Sequence, residues 1–597
     1  MKFVSLACFS LLASGVLGSR NDKASTPQCK TVPGDAKWPS ESTWESLNDQ
    51  VGGRLIKTSP IAETCYPGSG QDLADCDYIS REWPVEDFQT SQAIGRVLPY
   101  NVTCPPVDYN AGERPTASCI LGINPVYAVN ATCQADIKAT LEFAQKHNVR
   151  LVTTGTGHDL LGRSDGYGSL QVWLRYYRNK ITYQEKYAAS NGCNSSTWEG
   201  GAMHVDGVYQ WRDVAKVARK NNVWVATGGT PSVGAIGGWS QGGGHGPATN
   251  AVGWGVDQIL EAEVLLADGR IVTANACENS DLYRSLRGGG PGYGIVLSMF
   301  VKAHANVNNI TAHRLTIVPG ALDTNKSETI DAITDLVQQV PGLVDGGLGG
   351  YASWWKDFPT AVIGNSTSGY SHGIYAIGQN ETATRATIES VVESLRQKHN
   401  SSLQINSTYV TYSDYWTFYY GEMGLDAPES NTTIMTSRAI NRDHVSNTTA
   451  VRDLVDTLTD APGQYNSQVL IFVGGRQVAQ QGTDPFAGYH PAWRKASFGW
   501  VNVRVVPLSA TQAERHATDE DMLSRTALME RFAPGTGAYM NEADRQDPNY
   551  IQNFYGDNYV SHLATKNKYD PNNVFYCATC VGSENFIEKP DGPLCMI

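Results

Sequence analysis

Two stretches of the chain repeat one hydrophobic pattern. Ile137, Leu141 and Ala144 recur at helical spacing, and the polar pair His147-Asn148 ends the run. Val149-Arg150-Leu151-Val152 then reads as a short strand entering the turn Thr154-Gly155-Thr156-Gly157-His158. Val214, Val217 and Ala218 mark a second helix, which stops at Asn221-Asn222. A strand over Val223-Trp224-Val225-Ala226 follows and enters Gly228-Gly229-Thr230. Each unit sets a glycine-rich loop after a strand, so the pair predicts two loops facing one ligand. Ile259 to Ala267 and Arg270 to Ala274 read as a hairpin about Asp268-Gly269.

These patterns divide the 597 residues. The length exceeds a single-core domain several-fold, so at least two lobes are expected. Residues 19–120 are Pro- and Cys-rich with weak periodicity and read as a stapled leader. Residues 121–305 carry the two loops, and 306–495 are Trp- and Tyr-rich, without glycine loops, and read as a separate α+β domain. Residues 496–597 are dense in motifs again, so the chain is expected to return to the first domain.

Composition narrows the class. The apolar share of 41% is ordinary for a globular protein, and the net charge of −13 argues against a nucleic-acid or anionic-membrane surface. The chain is expected to act as a monomer. Lys2, the apolar run Phe3 to Leu17 and the small residues Gly15 and Gly18 form a secretory signal (residues 1–18), with cleavage expected near Gly18. Eleven Asn-x-Ser/Thr sites, from Asn101 to Asn447, agree with export and glycosylation. Removing Cys8 with the signal leaves eleven cysteines. Disulfides are the natural reading, with Cys65–Cys76 and Cys104–Cys119 as local pairs and one odd thiol left over. Cys577-Ala-Thr-Cys580 has redox spacing, and a structural bridge fits it as well.

The loops carry the chemistry. Loop one is TGTGHDLLGRS, Thr154 to Ser164, and loop two is GGTPSVGAIGGWSQGGGHG, Gly228 to Gly246. Glycine at this density costs conformational entropy, which is offset where backbone N–H groups must approach a phosphate. A Rossmann site is disfavoured because Gly288-Gly289-Gly290-Pro291-Gly292-Tyr293-Gly294 leads into the strand-like Ile295-Val296-Leu297, not into a helix. Gly238-Trp239-Ser240-Gln241-Gly242 matches a serine-hydrolase elbow, but glycines on both sides weaken the strand and helix an elbow needs. His204, His245 and His372 lack paired-ligand spacing, so no metal is expected. Trp354-Trp355 and Tyr415 to Tyr420 read as core or as a cavity wall rather than a sugar platform.

Loop one, loop two, GWGVDQI, RGGGPGYGIV and YDPNNVF together resemble the berberine-bridge-enzyme-like FAD-linked oxidoreductases, in particular their fungal isoamyl-alcohol-oxidase-like branch. The likeness covers about residues 120–305 and 535–585. It implies an α+β, two-domain fold of the p-cresol-methylhydroxylase and vanillyl-alcohol-oxidase type, with an inserted substrate domain. It also implies FAD bonded through its 8α-methyl to His158, by a single link, because Thr230 stands where relatives carry a second, cysteine tether. Cofactor contacts are then expected at Thr154, Gly155, Thr156, Gly157, Gly162, Gly229, Thr230, Gly234, Gly237, Gly238, Gly243 and Gly246. Gly253 and Val256 are expected near the adenosine and Asn558 near the isoalloxazine. Val233 falls where plant relatives admit oxygen.

The resemblance leaves the catalytic base open. Relatives carry Tyr-x-Asn-Tyr, whereas this chain has Tyr539-Met540-Asn541-Glu542, so Tyr539 or Glu542 could take the substrate proton. The reaction implied is hydride transfer from a small alcohol or similar organic molecule to FAD, with O2 as acceptor and H2O2 as product. A flavin-dependent cyclase or dehydrogenase of secondary metabolism is the alternative enzyme. A flavin-binding glycoprotein without turnover is the alternative outside enzymes.

Overall fold

The computed structural model describes residues 28–597 except 321–325, 359, 400, 425, 427–430, 461–464 and 590. The secretory signal expected over residues 1–18 lies outside the described residues.

Both helix–strand–loop units form. Helix Gln134–Lys146 is capped at His147, and Asn148 turns the chain at φ 51°. Helix Trp211–Lys220 ends the same way, at Asn221 and Asn222 with φ 54°. Asparagine tolerates this left-handed conformation better than most side chains, which is why it marks both helix ends. The first strand is Leu151–Thr154, shifted two residues from the expected start. The second is only Val223–Trp224, because it pairs antiparallel with the end of the long strand Ile295–Ala305 and not with a parallel neighbour.

Around these units stand two sheets. Leu55–Lys57, Tyr127–Asn130, Leu170–Trp173 and Leu151–Thr154 form a four-stranded sheet whose last three strands run parallel. A six-stranded antiparallel sheet holds Arg178–Gln184, Gly201–Gly207, Ile259–Leu265, Ile271–Ala274 and Ile295–Ala305, with Val223–Trp224 alongside. The expected hairpin is present, with Gly269 at φ 80°. The presumed leader is built into this lobe: Leu55–Lys57 is a sheet strand, and Trp44 of helix Glu41–Gln50 stacks on Tyr127 at 4.0 Å.

The second lobe is a seven-stranded antiparallel sheet spanning Asn308–Pro319 to Phe498–Val506. A boundary at 495 therefore falls too early. Phe498–Val506 lies inside this sheet, and helix Gln512–Phe532 packs beside it. Period-two alternation sorts the side chains of Leu348–Trp355. Ala352 and Trp354 enter the core beneath the helices, while Tyr351 packs on the opposite face with Trp254 and Tyr539. Trp416, Phe418 and Tyr419 are buried in packing, and Tyr415 stacks on Trp224 at 4.4 Å, so this aromatic run is core.

Five disulfides are present among the described residues: the two expected local pairs, Cys193–Cys277, Cys577–Cys580 and Cys29–Cys595. Cys133 is the odd thiol. Among the described Asn-x-Ser/Thr sequons, Asn194, Asn309, Asn365, Asn380, Asn406, Asn431 and Asn447 are exposed.

Candidate active site

A cavity of about 490 Å³ lies between the lobes, within the range of about 300–1,000 Å³ usual for cofactor and ligand sites. Thr154, Gly155, Thr156, Gly157 and His158 of loop one line it, with Gly229, Thr230, Val233, Gly234, Gly237 and Gly238 of loop two. The backbone N–H groups of Gly155, Thr156 and Gly157 donate to no protein acceptor among the described residues. A β carbon at Gly237 or Gly238 would meet no atom within 4 Å, so each leaves cavity space open at its backbone. Unpaired amides beside open, glycine-walled space fit a dinucleotide pyrophosphate.

Loop one is fixed from behind. Arg96, itself in the presumed leader, pairs with Asp165 at 2.6 Å in nearly complete burial, and its Nη2 lies 3.3 Å from Thr154 Oγ1. Gly157 has φ 80°, and a β carbon there would sit 2.8 Å from Gly95 O. No other residue fits that turn without displacing backbone.

His158 lines the cavity, and its Nε2 lies 2.8 Å from Ser232 Oγ. The Ser232 hydroxyl in turn donates to Glu86, whose Oε2 is 3.9 Å from the same imidazole nitrogen. Burial pushes the His158 pKa down to about 4, Asp426 opposes that shift and Arg212 adds to it. The ring is therefore neutral near pH 7.

The C-terminal tail is keyed between the loops. Arg163 Nη2 donates to Asn541 Oδ1 at 2.7 Å, and Asn541 Nδ2 donates to Gly238 O at 3.0 Å and Tyr539 Oη at 2.9 Å. Tyr539 Oη also accepts the Gly244 N–H at 3.3 Å. Burial, with the Glu542 charge adding to it, holds the Tyr539 phenol above its ordinary range. Glu542 is more open, and its Oε1 lies 2.8 Å from His245 Nε2. His245 Nδ1 is 3.2 Å from Tyr351 Oη. Burial keeps the Tyr351 phenol protonated. A carboxylate can only accept, so Nε2–H donates to Glu542 and Nδ1 accepts from Tyr351.

Six expected cofactor residues do not line the cavity: Gly162, Gly243, Gly246, Gly253, Val256 and Asn558. The four glycines answer to packing. A β carbon would lie 2.9 Å from Arg545 Nη1 at Gly162 and 2.8 Å from the Tyr489 ring at Gly243. It would lie 1.9 Å from Thr227 O at Gly246 and 2.9 Å from Asp257 Oδ2 at Gly253. Val256 is buried beside Trp254 and Trp493. Asn558 clamps loops: Nδ2 donates to Gly488 O and Tyr489 O, both at 3.0 Å, and Oδ1 accepts from Arg284 at 2.6 Å. Sequence reasoning missed Glu86, His245 as a cavity residue, Tyr351, and Phe575 to Cys577 of the tail, and Ser232 behind His158. Ser240 is buried and donates to Ala235 O, which removes it as a nucleophile.

The FAD binding domain family matches residues 125–275, and the berberine and berberine-like family matches residues 538–582. The FAD-linked oxidoreductase hmp9 of Hypomyces subiculosus is 47% identical over 97% of this chain and 92% of its own length. The VAO-type flavoprotein oxidase VAO615 of Thermothelomyces thermophilus is 31% identical over 99% of each chain. The crystal structure of the VAO-type flavoprotein MtVAO713 from Myceliophthora thermophila C1 superposes with a TM-score of 0.93 at 50% identity, covering 96% of this chain and all of that one. The two matched segments are those that bring the glycine loops and the tail to one cavity. This chain belongs to the berberine-bridge-enzyme-like FAD-linked oxidoreductases, with the two-domain p-cresol-methylhydroxylase-type FAD-binding fold of the VAO-type fungal flavoproteins.

Proposed function

We propose that the protein is an exported oxidase that holds FAD covalently on His158, through one link, and oxidises a small alcohol or similar organic substrate with O2. The observation that carries this reading is one cavity lined both by His158 and by the Glu542–His245–Tyr351 chain. When bound, FAD supplies hydride acceptance and the passage of electrons to oxygen. Gly155 to Gly157, Gly237 and Gly238 would hold it through backbone, and Thr230, a hydroxyl, cannot form a thioether.

Glu542 takes the substrate O–H proton in this reading. Its carboxylate is partly open to the cavity, and the His245 N–H steadies it as an acceptor. Tyr539 is the weaker candidate, since its oxygen already accepts two N–H donors and burial opposes its ionisation. Val233 on the cavity wall is the residue assigned to oxygen access. Five disulfides and the exposed glycosylation sites support export.

Acid precipitation of the purified protein tests the link. The flavin is expected to stay with the polypeptide, and His158→Ala is expected to release it. Peroxide detection in air over a panel of alcohols, sugars and amines tests the reaction. Flavin reduction and a new product without peroxide would turn the reading toward the cyclase or dehydrogenase. No flavin reduction by any substrate would favour a binder.

A further inference from the structure

We infer that Ser232 and Glu86 form a proton relay that activates His158 for its bond to the flavin. This rests on the reading that His158 carries the cofactor. The argument begins with hydrogen-bond direction. Ser232 Oγ donates to Glu86, so its one proton is committed and its oxygen can only accept at the His158 contact of 2.8 Å. The proton of the neutral imidazole is thereby placed on Nε2. The lone pair is left on Nδ1, which has no protein partner among the described residues.

Burial makes the arrangement directional. Ser232 is fully buried and Glu86 is 2% exposed. Among the described residues, Asp426 and Arg212 act on the ring, and Arg212 is paired with Asp426 and with Asp87 at 3.3 Å. The nearest acceptor for a proton leaving Nε2 is therefore Ser232 Oγ, backed by the Glu86 carboxylate.

In the bond-forming reaction Nδ1 joins the 8-methyl carbon of the flavin. One C–H bond of that methyl and the Nε2–H bond are broken. The Nε2 proton passes to Ser232 Oγ as the serine proton passes to Glu86. The two electrons released go through the flavin to O2, which takes both protons and becomes hydrogen peroxide. Ser232 and Glu86 are positioning residues in this scheme: they set the tautomer of His158 and receive its proton.

The test uses the full-length protein, wild type against Ser232→Ala, Ser232→Thr, Glu86→Gln and His158→Ala. Flavin is divided into acid-released and polypeptide-bound fractions at harvest and after incubation with FAD in air, and intact mass confirms the adduct. Ser232→Ala and Glu86→Gln are expected to bind FAD but to form the bond about 100-fold more slowly, the scale of a lost general base. Ser232→Thr, which keeps the hydroxyl, is expected to stay near wild type. Full covalent loading of Ser232→Ala at harvest would overturn the relay. So would loss of all flavin from Ser232→Ala with an unchanged melting transition, since the pair is assigned to bond formation and not to binding. If Glu86→Gln does not fold, alanine against threonine at 232 decides alone. Wild-type flavin that acid releases would instead overturn the reading of His158 itself.

Discussion

The two sides of the cavity are made of different material. Loops one and two present backbone, with glycines where a β carbon would intrude and amides left without protein acceptors. The rest of the lining presents side chains gathered from distant parts of the chain: His245 from the end of loop two, Tyr351 from the seven-stranded sheet and Glu542 from the tail. A backbone wall recognises what every FAD has in common. In the proposed function the side-chain wall is the part that meets the substrate, and it can be rebuilt one residue at a time. Holding and reacting are thus separable here, and mutations should separate them.

The largest effect is expected at Glu542. Glu542→Gln keeps the shape and removes the acceptor, so kcat/KM should fall about 10³-fold with flavin content unchanged. Oxygen-uptake kinetics and the visible flavin spectrum check both halves. Loss of flavin in this variant would break the separation. The mirror case is Gly237→Leu, which fills the open space at loop two. Affinity for FAD before the bond forms should fall about 100-fold, by the loss of about 3 kcal/mol of backbone contact, so the protein is made with less flavin while the melting curve of the fold persists. The flavin-to-protein absorbance ratio reports it.

The next effect lies within the seven-stranded sheet and concerns stability. Tyr370 Oη lies 2.9 Å from His372 Nδ1, His372 Nε2 lies 2.8 Å from His313 Nδ1, and His313 Nε2 lies 2.9 Å from Ser407 Oγ. Two neutral rings satisfy this chain in one direction, and an added proton would set two N–H groups against each other. Burial pushes His313 down to about 4, with Glu389 opposing the shift and Arg385 adding to it, and burial, with His313 adding to it, holds His372 well below its ordinary value. Below pH 6.5 the unfolded state binds protons that the folded state refuses, so stability falls as pH drops from 6.5 toward 4. The loss at His313 is about 3 kcal/mol at most. Denaturant midpoints at pH 7 and 5 measure it, and His313→Gln should flatten the slope. The smallest effect is expected for Tyr351→Phe, which removes the donor to His245 and should lower kcat/KM about 10-fold without loosening flavin. An equal loss in flavin retention would place Tyr351 with the backbone wall.

The same contrast explains what was legible. A wall made of backbone writes itself into composition, and so loops one and two were readable as a ligand site from glycine density and the strands before them. The asparagine stops at 148 and 222 were readable for a similar reason, because left-handed turns restrict residue type. Tyr351 left no such trace. Whether it faces the cavity or the helix core depends on strand register, and its neighbours Ala352 and Trp354 face the other way. Glu86 sits on the short helix Glu86–Ser91, in a region whose periodicity is too weak to read. His245 is visible within GGGHG, but its spacing speaks only to metal ligation, and its contact with Glu542 depends on the fold. Glycines misled where they serve packing, as at Gly246, since composition alone does not distinguish a ligand from a carbonyl.

The bridge from Cys29 to Cys595 brings the strands Gln28–Cys29 and Cys595–Met596 side by side. Topologically, the polypeptide between those cysteines is a closed ring. A protease that nicks one exposed turn opens the ring without dividing it, so the pieces should migrate as one species until a reductant is added.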